Sequence, residues 1–239
     1  MGRIFLIVCC CLAVMGLHAE KKITPQEFLA LARRPNPVDT FAMLSGTLQH
    51  RREGSSPESM PIYFGIIIQK ERSTGQLIFG DKEGYFLGQA RAKGGSSVIP
   101  MQKSSALIDR TGVRASDLTL DFLFYDFVRE DEEETIGGFV PCRVMMLRSS
   151  DKKELVRVFL SKSHYFPLRA EFFKPGEKKP WRTLETGGFT QKNDLYYIRR
   201  LRLEGPGWRT RIEFKEADLG LFDPKAAPKN LIRKLPSSR

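Results

Sequence analysis

The stretch that decides the fold runs from residue 125 to residue 215: YDFVREDEEETIGGFVPCRVMMLRSSDKKELVRVFLSKSHYFPLRAEFFKPGEKKPWRTLETGGFTQKNDLYYIRRLRLEGPGWRTRIEFK. It reads as one β-strand after another. Turn residues punctuate it at Gly137-Gly138, Ser149-Ser150-Asp151-Lys152, Lys174-Pro175-Gly176-Glu177, Gln191-Lys192-Asn193-Asp194 and Gly205-Pro206-Gly207. Strand-length runs at near-regular spacing predict an antiparallel meander. A meander of this length curls into a sandwich or a barrel, because a large twisted sheet must bury its apolar face.

Side-chain alternation assigns the faces. In residues 61–70, Ile62, Phe64, Ile66 and Ile68 share one face, against Tyr63, Gly65, Ile67 and Gln69. In residues 154–162, Val156, Val158 and Leu160 oppose Leu155, Arg157, Phe159 and Ser161. Leu168, Ala170 and Phe172 oppose Arg169, Glu171 and Phe173, and Trp208, Thr210, Ile212 and Phe214 oppose Arg209, Arg211, Glu213 and Lys215. Each strand has an apolar face and a mixed, often basic one. The apolar face is either an ordinary filled core or the wall of a space for an apolar ligand.

Upstream, strands are expected over residues 40–51, 61–70, 76–79 and 84–89. Residues 51–59 are polar and read as a loop. Residues 92–115 are less regular, with Gly94-Gly95-Ser96-Ser97 as a flexible point. Residues 24–34 predict a helix: Thr24 and Glu27 form a capping box, Pro25 fits the first helical position, and Phe28, Leu31 and Ala32 make an apolar stripe. Ser116 or Asp117 caps a second, short helix that runs through Phe124 and is rich in leucine and phenylalanine. The tail, residues 223–239, is rich in proline and lysine and is expected to be extended.

Residues 1–19 have the layout of a secretory signal peptide, with Arg3 in a basic n-region, an apolar run over residues 4–17, and cleavage expected near Ala19. The apolar run is shorter than the roughly 20 residues a bilayer span needs. Cys9, Cys10 and Cys11 lie inside it without the small preceding residue of a lipoprotein signal, so lipid anchoring is not expected. Processing leaves Cys142 alone, and one cysteine makes no intramolecular disulfide, so the core must hold the fold. Residues 20–239 suit a single domain.

The chain carries 39 Lys and Arg against 28 Asp and Glu, a formal charge of +11, of which the signal holds only Arg3. Such a balance suits anionic lipid headgroups or acidic polysaccharide; for an exported protein nucleic acid is not an expected partner. Solubilising charge on the outer sheet face is the plainer reading. Arg199, Arg200 and Arg202, with Arg209 and Arg211 on the next strand, form a basic patch. It either protects an exposed strand or docks on anionic headgroups or a membrane.

Local signatures of catalysis are absent: there is no Gly-x-Ser-x-Gly elbow, phosphate loop or His-Glu-x-x-His motif. Outside the signal there are two histidines, His50 and His164, far apart in sequence. No enzyme activity, metal site or cofactor is expected. The acidic run over residues 130–134 lacks the ligand spacing of a calcium loop and reads as a solvated strand.

The order of motifs resembles the outer-membrane lipoprotein-sorting proteins, the LolA/LolB-like superfamily, in a divergent branch. The resemblance rests on Leu44-Ser45-Gly46-Thr47, on the run from Ser116 to Phe122 leading into Tyr125-Asp126-Phe127, and on Ile136-Gly137-Gly138-Phe139-Val140-Pro141. It continues through Val156-Arg157-Val158-Phe159-Leu160, the stretch from Phe166 to Phe173, and the closing run from Trp208 to Phe214. The resemblance implies an α+β fold, mainly β: an unclosed antiparallel half-barrel of about 10–11 strands with a few helices across its concave face. It further implies an exported, periplasmic carrier of lipid or lipoprotein. The partners would be acyl chains of lipoprotein or phospholipid, membrane-bound donor and acceptor proteins, and a transient membrane surface. The expected cavity wall is Phe64, Ile66, Ile68, Val156, Val158, Leu160, Phe172, Ile212 and Phe214. The alternative is a periplasmic sensor or adaptor that uses the same fold to bind a partner protein.

Overall fold

The computed structural model describes residues 23–34, 37–80, 83–90, 95–101 and 111–235. The expected signal peptide lies outside them. Twelve antiparallel strands form one sheet. Strands β1 (Thr40–Arg52), β2 (Glu58–Ile68), β3 (Arg72–Phe79), β4 (Glu83–Ala90) and β5 (Gly95–Pro100) make a first meander. Strands β6 (Asp126–Ile136), β7 (Val140–Arg148), β8 (Leu155–Ser161), β9 (Pro167–Phe173), β10 (Arg182–Lys192), β11 (Leu195–Gly205) and β12 (Trp208–Leu221) make a second. The last strand returns to pair with the first, so the spatial order is β5-β4-β3-β2-β1-β12-β11-β10-β9-β8-β7-β6. The sheet does not close: β5 and β6 are its two free edges. This is an open half-barrel.

The strand count exceeds the expected ten or eleven because β5 was not foreseen. Its sequence, Gly-Ser-Ser-Val-Ile-Pro, has none of the charge alternation of a half-exposed strand, yet it pairs with β4 from Ala90↔Gly95 to Tyr85↔Pro100. The first helix, α1 (Pro25–Ala32), forms as its capping box predicts: Thr24 N donates to Glu27 Oε2 at 2.7 Å and Glu27 N to Thr24 Oγ1 at 3.2 Å. The second expected helix is broken in two. Helix α2 (Ala115–Leu118) ends at a left-handed Leu120 (φ 52°), and a 3₁₀ turn follows at Asp121–Phe124. Asp117, not Ser116, supplies the reach-back to the helix start, accepting from Arg114 N at 2.7 Å.

The seam between the meanders depends on one irregularity. The β1–β12 register shifts between Ser45 and Gly46, so that Ser45 faces Glu216 while Gly46 faces Phe214. The extra residue, Lys215, is a bulge that switches the inward parity of β12. Thr210, Ile212 and Phe214 point inward before it, and Leu219 after it, all of them buried. Opposite the bulge the backbones approach so closely that a Cβ on Gly46 would stand 2.1 Å from the Glu213 carbonyl oxygen.

The tail after β12 is a strap on the convex face. Tyr63 Oη donates to the Asn230 and Leu231 carbonyls, at 2.8 and 2.9 Å. The Gln76 carboxamide binds both backbone groups of Arg233, each at 2.7 Å. The Arg233 guanidinium lies 3.5 Å from the Tyr63 ring centroid. Alternation gives Tyr63 and Gly65 the outer face of β2; the strap buries that face, and with it Leu231 and Ile78.

Candidate functional site

The concave face is one apolar surface drawn from both meanders. Phe64, Ile66, Val156, Val158, Leu160, Phe172, Ile212 and Phe214 are buried in a single cluster, and Ile68, partly buried, packs against it. The nine residues expected to line a cavity are thus brought together by strands that lie far apart in sequence.

They do not face an open space. The chain leaves the free edge β5 and must reach the opposite free edge β6. The described part of this crossover, residues 111–125, lies over the concave face, placing Val113, Ala115, Phe122 and Leu123 in the same cluster as the wall. Phe122 meets the Phe172 ring edge-on, centroids 5.6 Å apart. Helix α1 adds Phe28 and Leu29. Two hollows lie beside His50 and Glu58, about 100 Å³, and along β3–β5 by Ser73, Gly88, Gln89 and Ser96, about 390 Å³.

What holds the cover differs from what holds the sheet. Among the described residues no strand pairing joins the crossover or α1 to the barrel; side chains do. Arg182, at the start of β10, donates to Asp117 in α2 through two nitrogens, at 2.7 and 2.8 Å, and to the Gly112 carbonyl at 3.2 Å. Both charged side chains are almost fully buried (1% and 2% exposed). The guanidinium also stacks over Phe172, 4.1 Å from its centroid. Arg114 reaches Glu154 at 3.0 Å. Thr210 Oγ1 donates to the Thr111 carbonyl at 2.5 Å, which spends its only proton. His50 Nδ1, 2.8 Å from that hydroxyl oxygen, is therefore the donor there.

Helix α1 is clamped at both ends. Arg33 donates to the carbonyls of Leu123 and Tyr125, at 2.6 and 2.5 Å. Arg143, paired with Glu130, donates to the Ile23 carbonyl at 3.1 Å and lies over the Phe28 ring. Burial of Tyr125, with the carboxylates of Glu154 and Asp121 nearby, pushes its phenol up to about 12.

Asp121 sits in the same cover and has no cationic partner among the described residues. It accepts from Ser96 at 2.9 Å and from Gln89 at 3.3 Å. Burial raises its carboxyl pKa above the ordinary 3.8, against the opposing pull of those two donors. Between 3.8 and the raised value the folded chain holds a proton that the unfolded chain has lost. Stability therefore falls as pH climbs through that window and stays lower above it. Asp121→Asn is expected to melt higher than the native protein at pH 7, with the advantage disappearing below about pH 3.8. Thermal melts of both proteins across pH 3–7 check this; an unchanged difference across the range contradicts it.

The basic patch is largely matched by carboxylates. Arg202 pairs with Glu204 at 2.6 Å, and Arg209 also meets Glu204. Arg199 and Arg211 reach Glu213 at 3.4 and 2.9 Å. Arg200 is exposed, opposite Glu213 in the ladder. The acidic run on β6 is likewise matched: Glu130 with Arg143, Asp131 and Glu134 with Arg157, Glu133 with Lys162. Among the described residues no three His, Cys, Asp or Glu side chains gather as a metal site. Cys142 is buried, and burial pushes its thiol up.

The fold now has known counterparts. No family profile and no curated protein sequence matches the chain. Solved structures do. A putative outer membrane lipoprotein-sorting protein domain from Vibrio parahaemolyticus superposes with a TM-score of 0.62 at 17% identity, covering 86% of this chain and 92% of that one. A DUF1329 family protein from Desulfovibrio piger gives 0.62 at 15%, covering 80% and 90%. A LolA superfamily protein from Nitrosomonas europaea gives 0.57 at 15%, covering 88% and 100%. The chain has the LolA-like fold. At these identities the likeness speaks for the architecture alone.

Sequence reasoning missed the fastenings of the LolA-like cover. Asp117 and Arg182 are 65 residues apart and nothing local couples them. The available signal was an aspartate amid Leu118, Leu120, Phe122 and Leu123: a carboxylate in so apolar a segment needs a buried cation.

Proposed function

We propose that this protein is an exported carrier whose concave face takes up the acyl chains of a lipoprotein or phospholipid when the crossover lifts. The observation that carries the reading is the pairing of a continuous apolar wall with a cover held by side chains rather than by strand pairing. Magnitudes support an exchange. A sixteen-carbon chain contributes roughly 12 kcal/mol on burial, at about 0.8 per CH₂. Re-exposing Val113, Phe122 and Leu123 costs about 5–9 kcal/mol, at 1.5–3 each, while an ion pair returned to water comes near break-even. The two are close enough for loading and release to be set by a donor or an acceptor rather than by irreversible capture. That one structural neighbour is a putative outer membrane lipoprotein-sorting protein domain supports the same reading. The signal-like residues 1–19 support a periplasmic placement.

Mass spectrometry of residues 20–239, purified without detergent, tests this. A stoichiometric phospholipid or acylated peptide is the expected result, and Val158→Phe, which narrows the wall, is expected to lower uptake of a fluorescent fatty acid several-fold with the β-sheet circular dichroism intact. An apo spectrum with no uptake of added lipid removes the carrier reading. The adaptor reading would then stand, drawing on the same observation that the concave face is already filled.

A further inference from the structure

Antiparallel connection sorts the turns of the half-barrel into two ends. One end holds the links β2–β3, β6–β7, β8–β9, β10–β11 and the β12/β1 termini; the other holds β1–β2, β7–β8, β9–β10 and β11–β12. The two ends differ in chemistry. The described hairpin turns of the second are polar, namely Gly54-Ser55-Ser56, Asp151-Lys152-Lys153, and Lys174-Pro175-Gly176-Glu177 with Lys178-Lys179, although Ile99, 59% exposed, stands there near the end of β5.

The first end carries exposed apolar side chains. Phe139, at the tip of the β6–β7 hairpin, is 91% exposed, and Leu221, at the end of β12, is 68% exposed. Phe189 and Tyr196 beside the β10–β11 turn, Val38 before β1 and Ile23 before α1 are exposed as well. The other exposed large apolar residues among those described lie on β4, β5 and β6 and in the strap, none at a hairpin tip.

Phe139 is held out by design of the turn. Gly137 and Gly138 both have positive φ (61° and 78°), which only glycine takes freely, and nothing lies within 4 Å of where their Cβ atoms would be. The hairpin thus projects an aromatic ring with no neighbour to cover it. Leaving a phenylalanine in water forgoes roughly 1.5–3 kcal/mol. Its flanking carboxylates Glu133 and Glu134 are matched by Lys162 and Arg157, while Glu132 on the same strand stands exposed.

We propose that this end of the half-barrel is a membrane-docking rim, with Phe139 and Leu221 entering the interfacial layer of an anionic bilayer. Geometry favours a lipid surface over a protein pocket. The apolar points stand on separate hairpins, and from the β6–β7 tip to β12 is about five or six strand spacings of 4.8 Å, or roughly 25–30 Å along the sheet. A fluid plane meets points spread along a rim; a pocket meets one cluster. The chain carries +11 overall, and at this end exposed Lys70, Arg72 and Lys192 stand among exposed Glu71, Asp194 and Asp218. The rim is distinct from the arginines of β11 and β12, and it does not depend on an acyl chain entering the concave face.

Flotation of the exported form, residues 20–239, with phosphatidylethanolamine–phosphatidylglycerol vesicles is the test. The native protein is expected to float with the vesicles, and Phe139→Ser with Leu221→Ser to weaken partitioning about tenfold or more. Both sites are exposed, so unchanged melting verifies the fold. A positional readout accompanies it. Trp181 and Trp208 adjoin the starts of β10 and β12, at the opposite end. Brominated acyl chains should therefore quench Phe139→Trp and leave the native fluorescence unchanged. Partitioning of the double variant within about twofold of native, absence of quenching at position 139, or a native protein that binds no vesicle each overturns the rim; capture of a protein in place of vesicles does so too.

Discussion

Asp117→Ala will lower the melting temperature by about 6–20 °C. The substitution strands the Arg182 guanidinium, 1% exposed, in an apolar setting with the Gly112 carbonyl and the Phe172 and Trp181 rings beside it. Removing one member of a buried ion pair costs about 3–5 kcal/mol, because the other charge stays buried without compensation. A chain of this size loses about 2–4 °C per kcal/mol. Replacing both partners by apolar residues, Asp117→Leu with Arg182→Met, should recover most of the loss, since the penalty lies in the stranded charge rather than in the pair. Thermal melts of the native protein and the two variants decide the matter: a single variant that loses less than about 1 kcal/mol refutes the latch. On the carrier reading the double variant is the informative one. It keeps the cover apolar but removes its polar fastening, so a fluorescent fatty acid should enter faster than in the native protein.

Gly46→Ala is the second large effect, on the order of 3 kcal/mol or more. The new Cβ would lie 2.1 Å from the Glu213 carbonyl oxygen and 2.7 Å from the Phe214 Cα, and both are backbone atoms with no rotamer to yield. Overpacking that soft side chains absorb costs about 1–3 kcal/mol. Here the β1 and β12 backbones must part at the seam joining the two meanders. A fall in melting temperature of about 6–12 °C is expected at 2–4 °C per kcal/mol. Gly187→Ala on β10 is the control. Nothing lies within 4 Å of its Cβ position, and its stability should stay within about 0.5 kcal/mol of native. Equal melting of the two variants contradicts the close approach at the seam.

The sheet was legible because its signals are local. Alternation placed Phe64, Val158 and Ile212 on one face, and the Gly-Gly and Pro-Gly turns separated the strands. The Thr24–Glu27 capping box predicted α1 for the same reason. Strand β5 escaped because its residues carry no alternation; pairing with β4 makes it a strand. The face of Tyr63 and Gly65 looked mixed, and only the strap, more than 150 residues away, explains why it is buried. Leu44-Ser45-Gly46-Thr47 could be singled out as a motif, but not the reason for its glycine, which lies in a bulge on β12. Alternation put the nine expected wall residues on faces that meet in one buried cluster. Their cover was not legible, since the Asp117–Arg182 pair, the Arg33 clamp and the filling by Val113 and Phe122 are all matters of tertiary distance.

The placement of β12 between β1 and β11 has a consequence for how the molecule is made. A chain emerging from its N-terminus completes strands β1 to β5 early, but β1 keeps an open inner edge until the final strand, Trp208–Leu221, arrives. The crossover cannot seat before then either, because Arg182 and Phe172 lie in the second meander. Contacts this distant in sequence are slow to form, since loop closure precedes any reward. The sheet is therefore finished only when β12 is delivered, and a growing chain remains pliable until then. On the exported reading, late closure keeps the chain able to pass a narrow translocation pore.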